Sequence, residues 1–481
     1  MIALLENDLR YDYDIRTLLQ AFFENEKITP SVEGARMVMK VQFQEQGEHQ
    51  ITFCSPEQGQ YRRSFTGNYR DKMELRNTVK QAVYDILSEY TGRILPWGTL
   101  TGIRPVKIVS GLLEQGMTPE QATETFQRTY GTTRQKAEIS LKVAQKEQEI
   151  LHTLDYENQY SLYIGIPFCP STCLYCSFTS YPIARYRDRV EAYLQALFRE
   201  MEYAARAMKE KHLISIYIGG GTPTSLSADQ LQRLIAHVEK NFCLSHLREF
   251  TVEAGRPDSI TADKLKVLYD SPVTRISINP QTMQEKTLRL IGRAHSVEQV
   301  KQSYFMAREI GFSNINMDLI MGLPGENDAD VRATLEEISR LEPDNLTIHS
   351  LAIKRAAKLN IQKEEYLNIA RGATDEMLRE ADRTAQAMGM APYYLYRQKN
   401  IPGNFENIGY ALDGKEGIYN ILIMEEKQTI LALGAGASSK YVFPGENRIE
   451  RTENVKDVDL YIERIEEMIE RKRNMLEGER R

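Results

Sequence analysis

Three cysteines, Cys169, Cys173 and Cys176, fall within eight residues in the spacing C-x3-C-x2-C, although the chain has only five cysteines in all. Thiolates this crowded repel one another unless a cation lies among them, so the spacing points to a soft metal centre. Zinc usually takes four ligands in two separated pairs, and no second Cys or His pair follows here. A [4Fe–4S] cluster takes one thiolate per iron, so three cysteines would leave one iron open to another ligand. A cluster, a structural zinc and a set of unrelated buried thiols are the three readings, and the dense spacing favours the first. Cys54 and Cys243 stand apart and read as ordinary, partly buried thiols.

Other reactive or polar residues follow apolar runs further along the chain. Gly219-Gly220-Gly221-Thr222 succeeds one such run. Glycines there let a backbone approach a ligand's amino group, although a Gly run by itself reads as a turn. Glu253 ends the next run, where a carboxylate can accept both hydroxyls of a ribose or be merely solvated. Gln281 and Arg293 follow, and the forked guanidinium of Arg293 suits a carboxylate. Asp318 sits inside an apolar run, so its charge needs a partner. His295 has no visible titratable partner and is expected at a helix start rather than in proton transfer.

These residues need a scaffold. From Ser161 to about Leu351, apolar strands near 161–166, 214–218, 249–253, 274–278, 314–320 and 345–350 alternate with longer helical stretches. That alternation is the pattern of a parallel α/β sheet or barrel, which places ligands at strand carboxyl ends. Ser227 and Ser296, each followed three residues later by Gln, open two of the helices. Upstream, a helix over 14–24, strands over 36–43 and 50–54 and a helix over 71–90 predict an α+β unit. Thr118 and Thr132-Thr133 read as capping-box starts for two more helices. Leu95 to Pro105 holds the only tryptophan; it is either a loop over the site, with Arg104 or Lys107 meeting an acid, or a connector, which is favoured. Downstream, a helix over 362–389, a Tyr-rich stretch from Tyr393, Gly417 to Asn420 and a terminal helix over 457–477 are expected. Rings and guanidinium at that density suit a planar, anionic ligand or simple packing.

The cysteine loop resembles the cluster signature of the radical S-adenosylmethionine (SAM) enzymes. Tyr-x-x-Ile-Pro-Phe-Cys before it and Cys-x-Tyr-Cys-x-Phe after it look like the oxygen-independent coproporphyrinogen III oxidase group, whose members include porphyrinogen oxidases, haem chaperones and haem-degrading relatives. The resemblance covers roughly 161–440 and implies an α/β fold, a partial (β/α)6 barrel. It implies a [4Fe–4S] cluster on Cys169, Cys173 and Cys176, with SAM chelated to the open iron and cleaved to a 5′-deoxyadenosyl radical. The implied SAM and cofactor contacts are Tyr163, Tyr175, Gly219, Gly220, Gly221, Thr222, Glu253, Gln281, Arg293, Asp318 and Ala352. Lys354, Arg355 and Lys358 would then be either cations for a tetracarboxylate or a solvated helix face.

The implied activity is decarboxylation of two propionates of coproporphyrinogen III to vinyls, giving protoporphyrinogen IX. Its implied partners are that porphyrinogen and an unidentified electron donor and acceptor. A haem chaperone and a haem-modifying enzyme are the alternatives. A separate amino-terminal domain points to the HemZ-like branch. Two departures weigh against an oxidase: Gly165 stands where many oxidases have a histidine, and Phe178 where they have a fourth cysteine. Expected boundaries are 1–155 for an α+β domain, 156–355 for the barrel and 356–481 for a mixed carboxyl-terminal lobe covering the substrate. Net charge of −6 in 481 residues, well mixed in sign, gives no reason to expect nucleic acid. No run approaches a membrane span, and few, unpaired cysteines fit a reducing cytoplasm.

Overall fold

In the computed structural model, which describes residues 1–23, 26–45, 47–102, 104–176, 178, 180–352, 372–398, 405–443, 446 and 448–478, the chain builds around two packing centres. The first is a five-stranded sheet of β1 (Ile2–Glu6), β2 (Ile28–Thr29), β3 (Met37–Gln42), β4 (His49–Ser55) and β5 (Gly59–Phe65), in the order β2-β1-β3-β4-β5. Ile2, Leu4, Met39, Val41, Ile51 and Phe53 alternate onto one face and bury against helices Asp12–Phe22 and Lys72–Thr91. The second helix contributes Leu75, Val79, Val83, Ile86 and Leu87, the apolar stripe expected of it. Asp71 caps its start by accepting from the Met73 and Glu74 amides.

This first core ends at Leu95, and the next core begins at Trp97. Helices Pro105–Glu114, Pro119–Tyr130 and Arg134–Leu151 therefore pack with the barrel rather than with the α+β unit to which the sequence assigned them. Capping boxes form at Thr118, Ser227 and Ser296. Thr133 caps its helix without the reciprocal bond, because its third helical position is Lys136.

The six expected barrel strands are β6 (Gln159–Ile166), β7 (His212–Gly220), β8 (Glu249–Gly255), β9 (Arg275–Ile278), β10 (Ile315–Met321) and β11 (Asn345–Ser350). All are parallel and adjacent in chain order. Their near-continuous burial, as in the all-buried Arg275–Ile278, is that of strands covered on both faces.

The carboxyl-terminal segment, expected as a mixed lobe over 356–481, is continuous with the barrel sheet. Its strands β12 (Ala391–Arg397), β13 (Glu406–Ala411), β14 (Thr429–Leu433), β15 (Ser438–Phe443) and β16 (Arg448–Glu453) extend the barrel sheet at both edges, in the order β12-β13-β11-β10-β9-β8-β7-β6-β14-β15-β16. β14 runs parallel to β6 as a seventh parallel strand, buried at every residue. Gly417 to Asn420 opens the helix Ile418–Glu425. The helix expected over 362–389 is seen as Asp375–Ala387; its earlier part, with Lys354, Arg355 and Lys358, lies outside the described residues. The terminal helix divides at Arg464 into Val458–Glu463 and Ile465–Gly478. Among the described residues, no helix is long and apolar enough to cross a membrane.

Candidate cluster and cofactor site

The cysteine loop leaves the carboxyl end of β6 and is tied down at several points. Phe168 and Cys169 pair in a short parallel ladder with Tyr181 and Pro182. Leu174 N donates to Ile291 O at 2.9 Å, and Ser171 Oγ to Gly292 O at 3.0 Å. Cys169, Cys173 and Cys176 all line one cavity of about 230 Å3. Burial pushes the Cys169 thiol up to about 11 and raises Cys176 as well. Thiolates therefore form here only against a compensating cation. Among the described residues, no three Cys, His, Asp or Glu side chains converge tightly enough to hold a single metal ion. A cluster binds each thiolate to a different iron, so three thiols lining one cavity fit it.

The same cavity is lined by Tyr175, Gly220, Gly221, Thr222, Glu253, Gln281, Arg293, Asp318 and Ala352, bringing together residues from β7, β8, β10 and β11. Tyr163 and Gly219, expected at the cofactor, lie outside this lining. The Tyr163 ring stacks on Tyr217 and Tyr419, at centroid distances of 6.3 and 6.4 Å, behind the glycine run. Gly219 is pressed against the Tyr217 ring and the Glu253 carboxylate, which a Cβ would meet at 2.9 and 3.0 Å. The glycine run also serves packing: Gly221 N donates to Ile166 O at 2.8 Å and Thr222 N to Phe168 O at 2.7 Å. A Cβ on Gly221 would lie 2.6 Å from Phe168 O, so close approach to the cluster strand itself demands glycine.

Charge in the cavity is distributed unevenly. Burial pushes Glu253 up to about 7; a Tyr217 hydroxyl bond at 2.5 Å lowers it, and Asp318 raises it further. Burial also raises Asp318, but His349 and an Asn316 amide bond at 2.7 Å more than offset it and leave the carboxyl below its ordinary range. This supplies the partner that an in-strand Asp requires. Burial lowers Arg293, whereas Tyr175 and Cys173 beside it raise it and keep it charged. Arg293 Nη1 donates to Asn279 O at 2.5 Å, while Arg293 Nε and Asn279 Oδ1 are buried without a hydrogen-bond partner. Open polar atoms at the cavity edge fit a polar ligand such as an amino acid moiety. Burial and the Arg293 charge push His295 down to about 3, leaving it neutral.

Arg256, His349 and Asn407, which were not foreseen, line the cavity too, as do Tyr396 and Gln398 of the Tyr-rich stretch. Of the Tyr-rich stretch, Tyr393 and Tyr419 are buried in packing instead. Gln281 holds φ at 68°, a left-handed conformation rare for a non-glycine residue, and is fixed there by backbone bonds to Asp318 and Ile320. Of the Leu95–Pro105 segment, no described residue lines the cavity, Trp97 donates to Glu406, and Arg104 does meet an acid, Glu426.

A seven-stranded parallel barrel edge with three thiols at its mouth defines a class. The radical SAM superfamily profile matches residues 163–338. Coproporphyrinogen III oxidase (HemN) from Escherichia coli, a radical SAM enzyme, shares the fold, with a TM-score of 0.51 over 65% of this chain and 70% of that one at 22% identity. The chain is 38% identical to the oxygen-independent coproporphyrinogen-III oxidase-like protein HemZ of Bacillus subtilis (strain 168), over 98% of this chain and 96% of that protein. It is 34% identical to the heme chaperone HemW of the same organism, over 64% of this chain and 76% of that one. The chain belongs to the oxygen-independent coproporphyrinogen-III oxidase-like family of radical SAM proteins, and its cofactors are a [4Fe–4S] cluster and SAM.

Proposed function

We propose that the protein decarboxylates two propionates of coproporphyrinogen III to vinyl groups, yielding protoporphyrinogen IX without oxygen. The observation that carries this reading is the single cavity. Its lining holds the three thiols together with Glu253, Gln281, Arg293 and Asp318, and also His349, Tyr396, Gln398 and Asn407. When bound, the cluster and SAM would supply the radical chemistry for hydrogen-atom abstraction at the β-carbon of a propionate. Loss of CO2 and of one electron to an acceptor then leaves the vinyl. Cys169, Cys173 and Cys176 hold the cluster. Arg293 meets the SAM carboxylate, and Glu253 accepts from its ribose. His349 and Gln398 offer donors to the propionates, and the Tyr396 ring offers a face to the macrocycle. An electron donor and an acceptor complete the cycle, in the cytoplasm.

A second reading, a haem-binding chaperone, is favoured by one observation. Gly165, standing where many oxidases have a histidine, is packed against β14 so closely that a Cβ would lie 3.3 Å from Leu433 O. Anaerobic reconstitution with SAM, a reductant and coproporphyrinogen III separates the two. Formation of both 5′-deoxyadenosine and protoporphyrinogen, lost in Cys169→Ala, supports the oxidase. Stable haem binding with neither product transfers the assignment to the chaperone.

A further inference from the structure

The cluster loop is also gripped by a side chain from the next-but-one strand. Arg256 follows β8 and is 3% exposed. Its guanidinium forms a bidentate pair with Asp258, Nε to Oδ1 at 2.9 Å and Nη2 to Oδ2 at 2.7 Å. The remaining nitrogen, Nη1, turns into the loop. It donates to Ser171 O at 3.0 Å, to Ser171 Oγ at 2.9 Å and to Cys173 Sγ at 3.6 Å.

The three thiols are therefore not equivalent. Cys169 lies 3.4 Å from the neutral Thr222 hydroxyl, and Cys176 has the Phe178 amide and the Ser180 hydroxyl beside it. Cys173 faces two guanidinium groups, those of Arg256 and Arg293. Arg293 already belongs to the cofactor pocket. Arg256 also borders that pocket, but Asp258 holds two of its nitrogens, and the third is shared between Ser171 and the Cys173 sulfur.

We propose that Arg256 is a positioning residue whose N–H···S bond to Cys173 raises the reduction potential of the assembled cluster. A donor on a ligating sulfur withdraws charge and stabilises the reduced, more negative state; hydrogen bonds to sulfur are among the protein's main means of setting cluster potential. The bidentate Asp258 fixes the direction of the fork and moderates its charge. The inference rests on the cluster assignment and is independent of which porphyrin the protein acts on.

The test is an EPR-monitored redox titration of the reconstituted full-length protein, with iron and sulfide content measured on each sample. Arg256→Gln is expected to shift the midpoint potential negative at unchanged iron content. Asp258→Asn, which leaves the guanidinium in place but less neutralised, is expected to shift it positive. Ser171→Ala, which removes a loop anchor and keeps the sulfur bond, is expected to leave it unmoved. A role in loop structure alone would change iron content without these opposed shifts. Equal potentials in Asp258→Asn and the parent protein overturn the proposal, and that arm decides the matter if Arg256→Gln does not hold a cluster. A protein that binds no iron in any form would instead refute the cluster itself.

Discussion

Trp97 Nε1 donates a 2.7 Å hydrogen bond to Glu406 Oε2, and the other oxygen of that carboxylate takes the Lys136 ammonium at 2.5 Å. Three distant parts of the chain meet there, with the Lys136 and Glu406 side chains 2% and 3% exposed. Arg397 lies 5.3 Å from the Trp97 ring. The next residue, Asn407, accepts from Ser350 N at 3.0 Å and lines the cavity. Glu406→Gln is expected to destabilise the protein by about 3–5 kcal/mol, because it strands the Lys136 charge in the interior. The only tryptophan sits at this point, so its fluorescence during urea unfolding measures the loss directly. Lys136 and Trp97 outweigh burial and hold Glu406 below its usual 4.5. Its stabilising contribution is therefore complete above that pH and is lost as acid protonates it.

Glu253 titrates near 7 through burial, so its ability to accept from a ribose depends on pH near neutrality. SAM affinity is expected to rise by roughly fivefold between pH 6 and pH 8, since a charged acceptor makes the stronger bond. Glu253→Gln should flatten that profile, and Tyr217→Phe should move its midpoint upward by removing the bond that lowers Glu253. The sign for stability is opposite. A raised carboxyl prefers the folded state while protonated, so its contribution declines as pH climbs from about 4.5 to about 7. Equilibrium dialysis of labelled SAM across this range measures the first effect.

Gly221→Ala is expected to cost about 1–3 kcal/mol and to lower iron content, because its Cβ would lie 2.6 Å from Phe168 O in the cluster strand. Gly111→Ala, in the helix Pro105–Glu114 with nothing within 4 Å, should instead stabilise by about 0.4–1 kcal/mol. Thermal melts of the two variants should therefore move in opposite directions.

Gln281 combines a strained backbone with a side chain in the cavity. Gln281→Gly removes both, so stability should rise by about 1 kcal/mol while SAM binding weakens. A melting curve and a binding isotherm on the same sample would separate the two effects.

The six barrel strands were legible because each is a short apolar run, and capped helices, as at Ser227 and Ser296, mark the spaces between some of them. β5 was not, because Gly59–Phe65 is an edge strand whose exposed Arg62, Arg63 and Ser64 carry no alternating apolar pattern. The place of β14 was not legible, since a five-residue buried run names no partner; its pairing with β6 is a contact across more than two hundred residues. The cysteines and Glu253, Arg293 and Asp318 were read as chemistry from residue type and local sequence, and all line the one cavity. Arg256, His349 and Asn407 were not, because their proximity to the thiols comes from the sheet order rather than from local spacing. Strand alternation fixes the face of Tyr163, but only its stack with Tyr217 and Tyr419 shows what packs beside it.

The central claim is that Cys169, Cys173 and Cys176 hold one [4Fe–4S] cluster with an iron open to SAM. EPR of the reduced, reconstituted protein with and without SAM tests it most directly. The expected result is a cluster signal that changes on adding SAM, and that fails to appear or no longer responds when any one of the three cysteines is replaced by alanine. A signal indifferent to SAM, or one that survives and still responds in Cys173→Ala, would contradict it.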